Sequence, residues 1–230
     1  MKRSGKKIEF TSYDELLGVK NEESSIEMEI SRIDDFKNHP FKVLDDEKMD
    51  ELVKSISDNG VLTPVLVRPK GNNRYEMISG HRRKHAATLI GFSTIPAIIK
   101  EIDDEEATII MVDTNIQREE LLPSERSFAY RMKLEALNRQ GKRTDLTSGQ
   151  NVQKLSQEKI GDEVGMSGRR VKRYICLTNL IPPLLDMVDQ NEIQFTVAVE
   201  VSFLSQEMQK WMEEYIRENG VLKLNQIKEL

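Results

Sequence analysis

Three short stretches of this 230-residue chain carry residue types at spacings that suit anion chemistry. In Ile78-Ser79-Gly80-His81-Arg82-Arg83-Lys84-His85-Ala86-Ala87, a strand-like run meets a glycine and then a basic, helix-forming segment. A helix that starts there offers free backbone N–H groups to an anion, and Gly80 lets the anion approach the backbone. Arg82 and Arg83 add forked donors that match phosphate. A basic helix start held by neighbouring acids would use the same residues. Farther on stands Thr114-Asn115-Ile116-Gln117-Arg118. Asn115 has an oxygen for a phosphate-bound Mg²⁺, and Gln117 and Arg118 suit phosphate or a base. Taken alone, this stretch also reads as a polar helix end and loop.

The third stretch, 155–177, has the pattern of a helix-turn-helix. Ser156 caps a first helix, with Ile160 and Val164 facing inward. Gly161 is small where the second helix passes. Gly165 takes the turn, where positive φ is cheap for glycine. Ser167 caps the second helix, and Val171 and Ile175 return to the core. Arg169, Arg170, Lys172 and Arg173 are then placed outward, in position for guanine edges or phosphates in a major groove. The expected DNA-binding set is Ser167, Arg169, Arg170, Lys172 and Arg173, with Lys142 and Arg143 upstream. An ordinary helical hairpin with a basic face is the plainer alternative.

The charge distribution agrees with DNA as a partner. Overall the chain is −5. Residues 121–180 hold 12 Lys and Arg against 6 Asp and Glu, a local +6, which leaves −11 on the rest. Such a basic middle aims its field at one partner, although acidic ends are also ordinary solvated surface. One cysteine, Cys176, excludes an internal disulfide and a cysteine zinc site, and it reads as a small buried apolar residue. Apolar residues are 38% and charged residues 32%, with no run long enough to span a bilayer and no apolar signal core after the basic Met1–Lys7 stretch. The expectation is a cytoplasmic protein.

The elements that must position these residues can be read from periodicity and punctuation. Residues 1–27 read as a flexible arm. Asp45 or Asp46 caps a helix through Met49, Leu52, Val53 and Ile56 that Asn59-Gly60 ends. Strands are expected at 61–68, 75–78 and 95–99, with a turn at 69–73 and a helix at 81–90 closed by Gly91. Further helices are expected at 105–114 and at 125–140, the latter with Pro123 ahead and Ser124 as its cap. A polar loop is expected at 141–153, and helices after it.

In this order the pieces resemble the ParB family of DNA-partition proteins over residues 28–205. The resemblance rests on Asn38-His39-Pro40-Phe41, the run from Leu52 to Arg68, Gly80-His81-Arg82-Arg83, Asn115-Ile116-Gln117-Arg118 and the helix-turn-helix that follows. It implies an α+β chain: a small mixed ParB/sulfiredoxin-like domain at 28–120, then an all-α DNA-binding domain at 121–205, and a helical segment at 206–230. It implies CTP and Mg²⁺ bound by Gly80, His81, Arg82, Arg83, Thr63, Asn115, Gln117 and Arg118, with Asn115 near the metal. It implies a dimeric clamp loaded at a palindromic, centromere-like DNA site, located at the nucleoid or a plasmid. A ParA-type ATPase would engage the N-terminal arm, where Lys2, Arg3, Lys6 and Lys7 lie. Three positions depart from the family pattern. His81 stands for a glutamate, Thr63 for a glutamine, and Thr114 for the glutamate on which CTP hydrolysis depends. The family's C-terminal dimerisation domain has no counterpart before Leu230. Sulfiredoxin chemistry needs a cysteine at the turn, and Ser79-Gly80 stands there. The alternatives are a helix-turn-helix transcription regulator without nucleotide gating and, further off, a nucleotide-using enzyme built on His81 and His85.

Overall fold

The computed structural model describes residues 25–118, 120–144 and 149–220, with backbone alone at 141–144 and 149–152. Lys2, Arg3, Lys6 and Lys7 lie outside the described residues, and so do the side chains of Lys142 and Arg143. The chain forms two compact units. Of the described residues, one contains those up to Phe36 and Val43–Glu101. The other contains Lys37–Lys42 and the described residues from Ile102 onward.

The first unit is a five-stranded mixed sheet with two helices. In chain order it holds β1 (Ile26–Glu29), β2 (Ile33–Asp34), α1 (Glu47–Asn59), β3 (Val65–Gly71), β4 (Arg74–Ser79), α2 (His81–Ile90) and β5 (Thr94–Ile99). The spatial order is β1-β5-β3-β4-β2, with β3 at the centre. It pairs parallel with β5 and antiparallel with β4. Met28, Ile33, Val65, Val67, Met77, Ile95 and Ala97 bury one side of the sheet against Ala87 of α2. The adjacent Ala86 turns toward Met49 and Ile56 of α1. Two small residues side by side thus let α2 pack against sheet and helix at once.

Local chemistry explains each boundary. Asp46 caps α1, accepting the Met49 N–H at 2.8 Å, and Gly60 ends it. The expected strand at 61–68 begins only at Val65, because the Thr63 and Pro64 carbonyls accept from the Arg83 guanidinium instead of a sheet ladder. It also runs farther than expected, through Pro69. There β3 has outrun β5, whose pairing stops at Val67, so the missing proline N–H leaves no ladder bond open on that side. The turn itself is Asn72-Asn73, both at positive φ, which suits a tight hairpin. The expected arm is shorter than residue 27, since Ile26 and Glu27 already pair with Ala97 and Pro96.

The second unit is helical: α3 (Asp104–Ile116), α4 (Pro123–Thr144), α5 (Gly149–Glu163), α6 (Gly168–Cys176), α7 (Pro182–Asp189), α8 (Phe195–Val201) and α9 (Gln206–Asn219). α4 packs against α3, α5, α6 and α7. Helix α4 starts earlier than expected, with proline at its first position, where the absent N–H costs nothing. Ser124 is therefore not its cap. The Ser124 N–H and hydroxyl both donate to Asp189, at 2.9 and 2.5 Å. Glu125 reaches back to the Leu122 N–H and also accepts from the Lys42 N–H. The expected loop at 141–153 is helical through Thr144 and again from Gly149. A polar helix without an apolar face leaves no periodic trace in sequence. Leu177, Leu184, Val188, Val197, Met212 and Ile216 form the core under α7–α9. Among the described residues, no helix is long and apolar enough to cross a membrane.

Candidate nucleic-acid interface and anion turn

The helix-turn-helix is α5, the turn at 164–167, and α6. Three of its expected parts stand. Gly165 has φ +69°. Ser167 caps α6, its hydroxyl accepting from the Arg170 N–H at 3.3 Å. A Cβ on Gly161 would lie 2.5 Å from the Met166 carbonyl oxygen and 2.9 Å from the Gly168 nitrogen. Gly168 is the partner that sequence reasoning missed, since its Cβ would meet the Glu158 nitrogen at 3.0 Å. The two helices cross backbone to backbone at this glycine pair. Ile160 and Val171 are buried, while Val164 and Ile175 are half-buried.

Two assignments are corrected. Ser156 is not a cap: α5 begins at Gly149, and the Ser156 hydroxyl donates to the Asn138 side chain at 3.1 Å. Arg173 does not share the outward face. It is half-buried, with its guanidinium 5.3 Å from the centre of the Phe195 ring, the end of an aromatic row through Tyr174 to Tyr130. Arg169, Arg170 and Lys172 are exposed, and among the described residues no carboxylate pairs with them. Cys176 is half-buried rather than buried, and desolvation pushes its thiol pKa up.

Beneath this surface lies a charge that sequence reasoning also missed. Lys133 of α4 is buried and pairs with Asp113 of α3 and Glu163 of α5. Burial raises the Asp113 carboxyl pKa against the pull of the Lys133 ammonium. A signal was present: Lys133 falls on the apolar stripe of α4, between Tyr130 and Leu134, where a cation must be partnered.

The turn before α2 has the expected backbone and an unexpected charge state. Gly80 stands at φ +107°, ψ +19°, and a Cβ there would lie 2.6 Å from Val65 Cγ1. Conformation and space both demand glycine. The cations around it are engaged. Arg82 donates to Asp46 at 3.0 Å, Lys84 reaches Asp35 and the Ile33 carbonyl, and His85 Nε2 meets Asp45 at 2.7 Å. Arg83 holds the Thr63 and Pro64 carbonyls at 2.5 and 2.7 Å. Partial desolvation works to raise the Asp46 pKa, but the Met49 N–H and Arg82 outweigh it and hold that pKa below the ordinary carboxylate value. His81 is half-buried and Thr63 exposed.

Asn115, Gln117 and Arg118 belong to the other unit, at the end of α3. The Asn115 amide nitrogen donates to the Met111 carbonyl at 2.8 Å, so its carbonyl oxygen is the atom left for a ligand. One neutral oxygen fits Mg²⁺ only alongside phosphate oxygens and water. Thr114 is buried, with its hydroxyl bonded to the same carbonyl at 3.1 Å. Gln117 is exposed and Arg118 half-buried. The Asn38–Phe41 stretch packs within the helical unit through buried Phe41, and His39 Nδ1 meets the Phe41 carbonyl at 2.8 Å.

Known proteins bear this pattern. A ParB-like protein of Deinococcus radiodurans, described as a probable chromosome 1-partitioning protein, is 33% identical over 194 residues, covering 84% of this chain and 61% of that one. A nucleoid occlusion protein of Geobacillus kaustophilus is 44% identical over 91 residues, 40% of this chain and 32% of that one. The solved structure of a pNOB8-like ParB-N domain superposes with a TM-score of 0.52 at 14% identity, over 85% of this chain and 93% of that one, a likeness of fold. The chain spans 49–61% of the length of the partitioning proteins it matches. The family described as ParB N-terminal domain matches residues 16–116, so this stretch of the chain is a ParB N-terminal domain.

Proposed function

We propose that the chain binds a specific DNA site through α5 and α6, as a partition protein, and that CTP bound by the sheet unit gates a dimeric clamp around that DNA. The observation that carries the DNA part is the face of α6. Among the described residues no carboxylate pairs with the exposed Arg169, Arg170 and Lys172, on a helix placed by the Gly161–Gly168 crossing. A positive helix face that is not internally neutralised favours polyanions. The nucleotide part rests on the match to the ParB N-terminal domain together with the Gly80 turn, where the backbone leaves room for a phosphate and forked donors stand beside it.

In this reading Gly80, Arg82 and Arg83 hold phosphates, with His81 and Thr63 beside them. Asn115 supplies one oxygen to Mg²⁺, and Gln117 and Arg118 complete the nucleotide contacts. When bound, Mg²⁺ neutralises triphosphate charge. Thr114 offers no carboxylate to activate water, so holding CTP, rather than turning it over, drives closure. The N-terminal arm engages a ParA-type ATPase. CTP acts as the ligand that binds the closed state better and so shifts the population toward it.

The test is recovery and sequencing of DNA bound to the protein, with and without CTP, alongside calorimetry against CTP, ATP and GTP. Partition requires bound sites clustered at one locus of the replicon, with CTP spreading the signal around them. CTP binding no tighter than ATP or GTP, with or without the DNA site, sinks the gating. Dispersed sites would favour nucleoid occlusion, the name carried by the second relative above.

A further inference from the structure

Lys133 is buried in the middle of α4, a helix on which α3 and α5 both pack. Its ammonium donates to a carboxylate from each of those helices. Asp113 lies in the last turn of α3, two residues before Asn115 and one helical turn before Gln117. Glu163 is the last residue of α5, directly before the turn that carries Gly165 and the Ser167 cap of α6. One side chain thus joins the end of α3 to the end of the helix that leads into the DNA-facing turn.

Both ends are built to move as units. In α3 the Asn115 amide and the Thr114 hydroxyl both donate to the Met111 carbonyl, and the Arg118 N–H donates to the Asn115 carbonyl at 3.1 Å. A displacement at Asn115 is therefore carried to Asp113 by the helix. At the other end the Met166 N–H donates to the Gly161 carbonyl at 2.8 Å, so the turn follows the end of α5. The two acids oppose each other. Burial is the main cause of the raised Asp113 pKa, the Glu163 charge adds to it, and Lys133 works against it. An ammonium has three donors and serves both acids only while both helix ends stay within its reach. Moving the last turn of α3 weakens one pair and alters the other, and a buried cation makes that change costly.

We propose that Lys133 is a positioning residue that couples the last turn of α3 to the turn of the helix-turn-helix, so that nucleotide held at one is felt at the other. This coupling rests on the CTP contacts read above for Asn115, Gln117 and Arg118. Lys133 itself touches neither nucleotide nor DNA in that reading. It divides its donors between Asp113 and Glu163, and the division follows the position of α3.

Backbone hydrogen exchange reads the link without any ligand. Relative to the rest of the helical unit, Asp113→Asn should speed exchange of the 164–167 amides, and Glu163→Gln that of the 115–118 amides. Lys133→Met should do both, and adding Asp113→Asn to it should change neither further. Val188→Ala, in the core under α7–α9, weakens the same unit away from these charges and should single out neither segment. With ligands, CTP should change the affinity of the wild-type chain for its recovered DNA site by about fivefold or more, and DNA should change CTP affinity by the same factor. In Lys133→Met both factors should fall to about one while each ligand still binds alone. Wild-type exchange at 164–167 in Asp113→Asn, or coupling that survives Lys133→Met, overturns the proposal. A wild-type chain that does not bind CTP overturns the reading above instead, and the exchange measurement still decides the link.

Discussion

Two helix starts in this protein are nearly equal in basic residues and opposite in what those residues do. At α2, Arg82, Lys84 and His85 each meet a carboxylate, and Arg83 is held by two carbonyls. At α6, Arg169, Arg170 and Lys172 are exposed with no carboxylate partner among the described residues, and Arg173 is turned inward onto Phe195. Counting cations does not separate these regions. Their surroundings do: α2 lies beside Asp35, Asp45 and Asp46, whereas α6 is placed by a glycine crossing and a serine cap that contribute no charge. A neutralised turn is pre-organised and suits a small ligand that displaces weak pairs. An uncompensated face projects a field and suits an extended polyanion.

The largest expected effect tests that contrast directly. Changing Arg169, Arg170 and Lys172 together to alanine should abolish site-specific DNA binding and reduce the salt slope of residual binding by roughly 3, one for each lost phosphate contact. Arg83→Ala should leave DNA affinity unchanged and instead lower the stability of the sheet unit. Filter binding or fluorescence anisotropy over a salt series measures both. If the α2 variant weakens DNA binding as much as the α6 variant, the two regions are not functionally distinct.

Next in size is Lys133→Met. It leaves half-buried Asp113 and exposed Glu163 without their shared cation and should destabilise the helical unit by about 1–3 kcal/mol in chemical denaturation. Gly161→Ala and Gly80→Ala should each cost on the order of 1–3 kcal/mol. The first presses a Cβ into the backbone of the turn and should impair DNA binding. The second presses on Val65 and should impair nucleotide binding. Ser167→Ala removes the α6 cap and should cost about 1 kcal/mol, read as a lower melting temperature.

The smallest effect is one of pH. The raised pKa of Asp113 means that this carboxyl holds its proton more firmly folded than unfolded. Its contribution to stability therefore falls as pH rises from the ordinary aspartate value, about 3.9, through the raised one. Asp113→Asn should flatten that part of a melting-temperature profile. Asp46 has the opposite sign. Its pKa is depressed in the folded state, so its contribution is present above the unfolded value and disappears as pH falls through the folded one.

Much of the fold was legible because strong local signals agreed. Asp46 before α1, Gly80 and Gly91 around α2, and Ser167 before α6 each mark an end by side-chain or backbone chemistry that acts within a few residues. The misreadings share a cause. Ser124 and Ser156 have the composition of caps, but Asp189 and Asn138, far away in sequence, claim their hydroxyls. The strand start at Val65 rather than Val61 depends on Arg83, nineteen residues past Pro64. Short β1 and β2 have no periodicity of their own and form because β5 and β4 offer open edges.

For this protein, then, sequence alone determined where α1, α2 and α6 begin, where the Gly80 and Gly165 turns require glycine, and which cations are close to one another along the chain. Those properties follow from interactions within one or two turns of backbone. Only the tertiary structure decided which cations remain free. Ion pairing depends on residues that folding brings together: Asp46 onto Arg82, Phe195 under Arg173, and Lys133 between Asp113 and Glu163. Charge acts through space, so a similar run of cations is a brace at α2 and, among the described residues, an exposed face without carboxylate partners at α6.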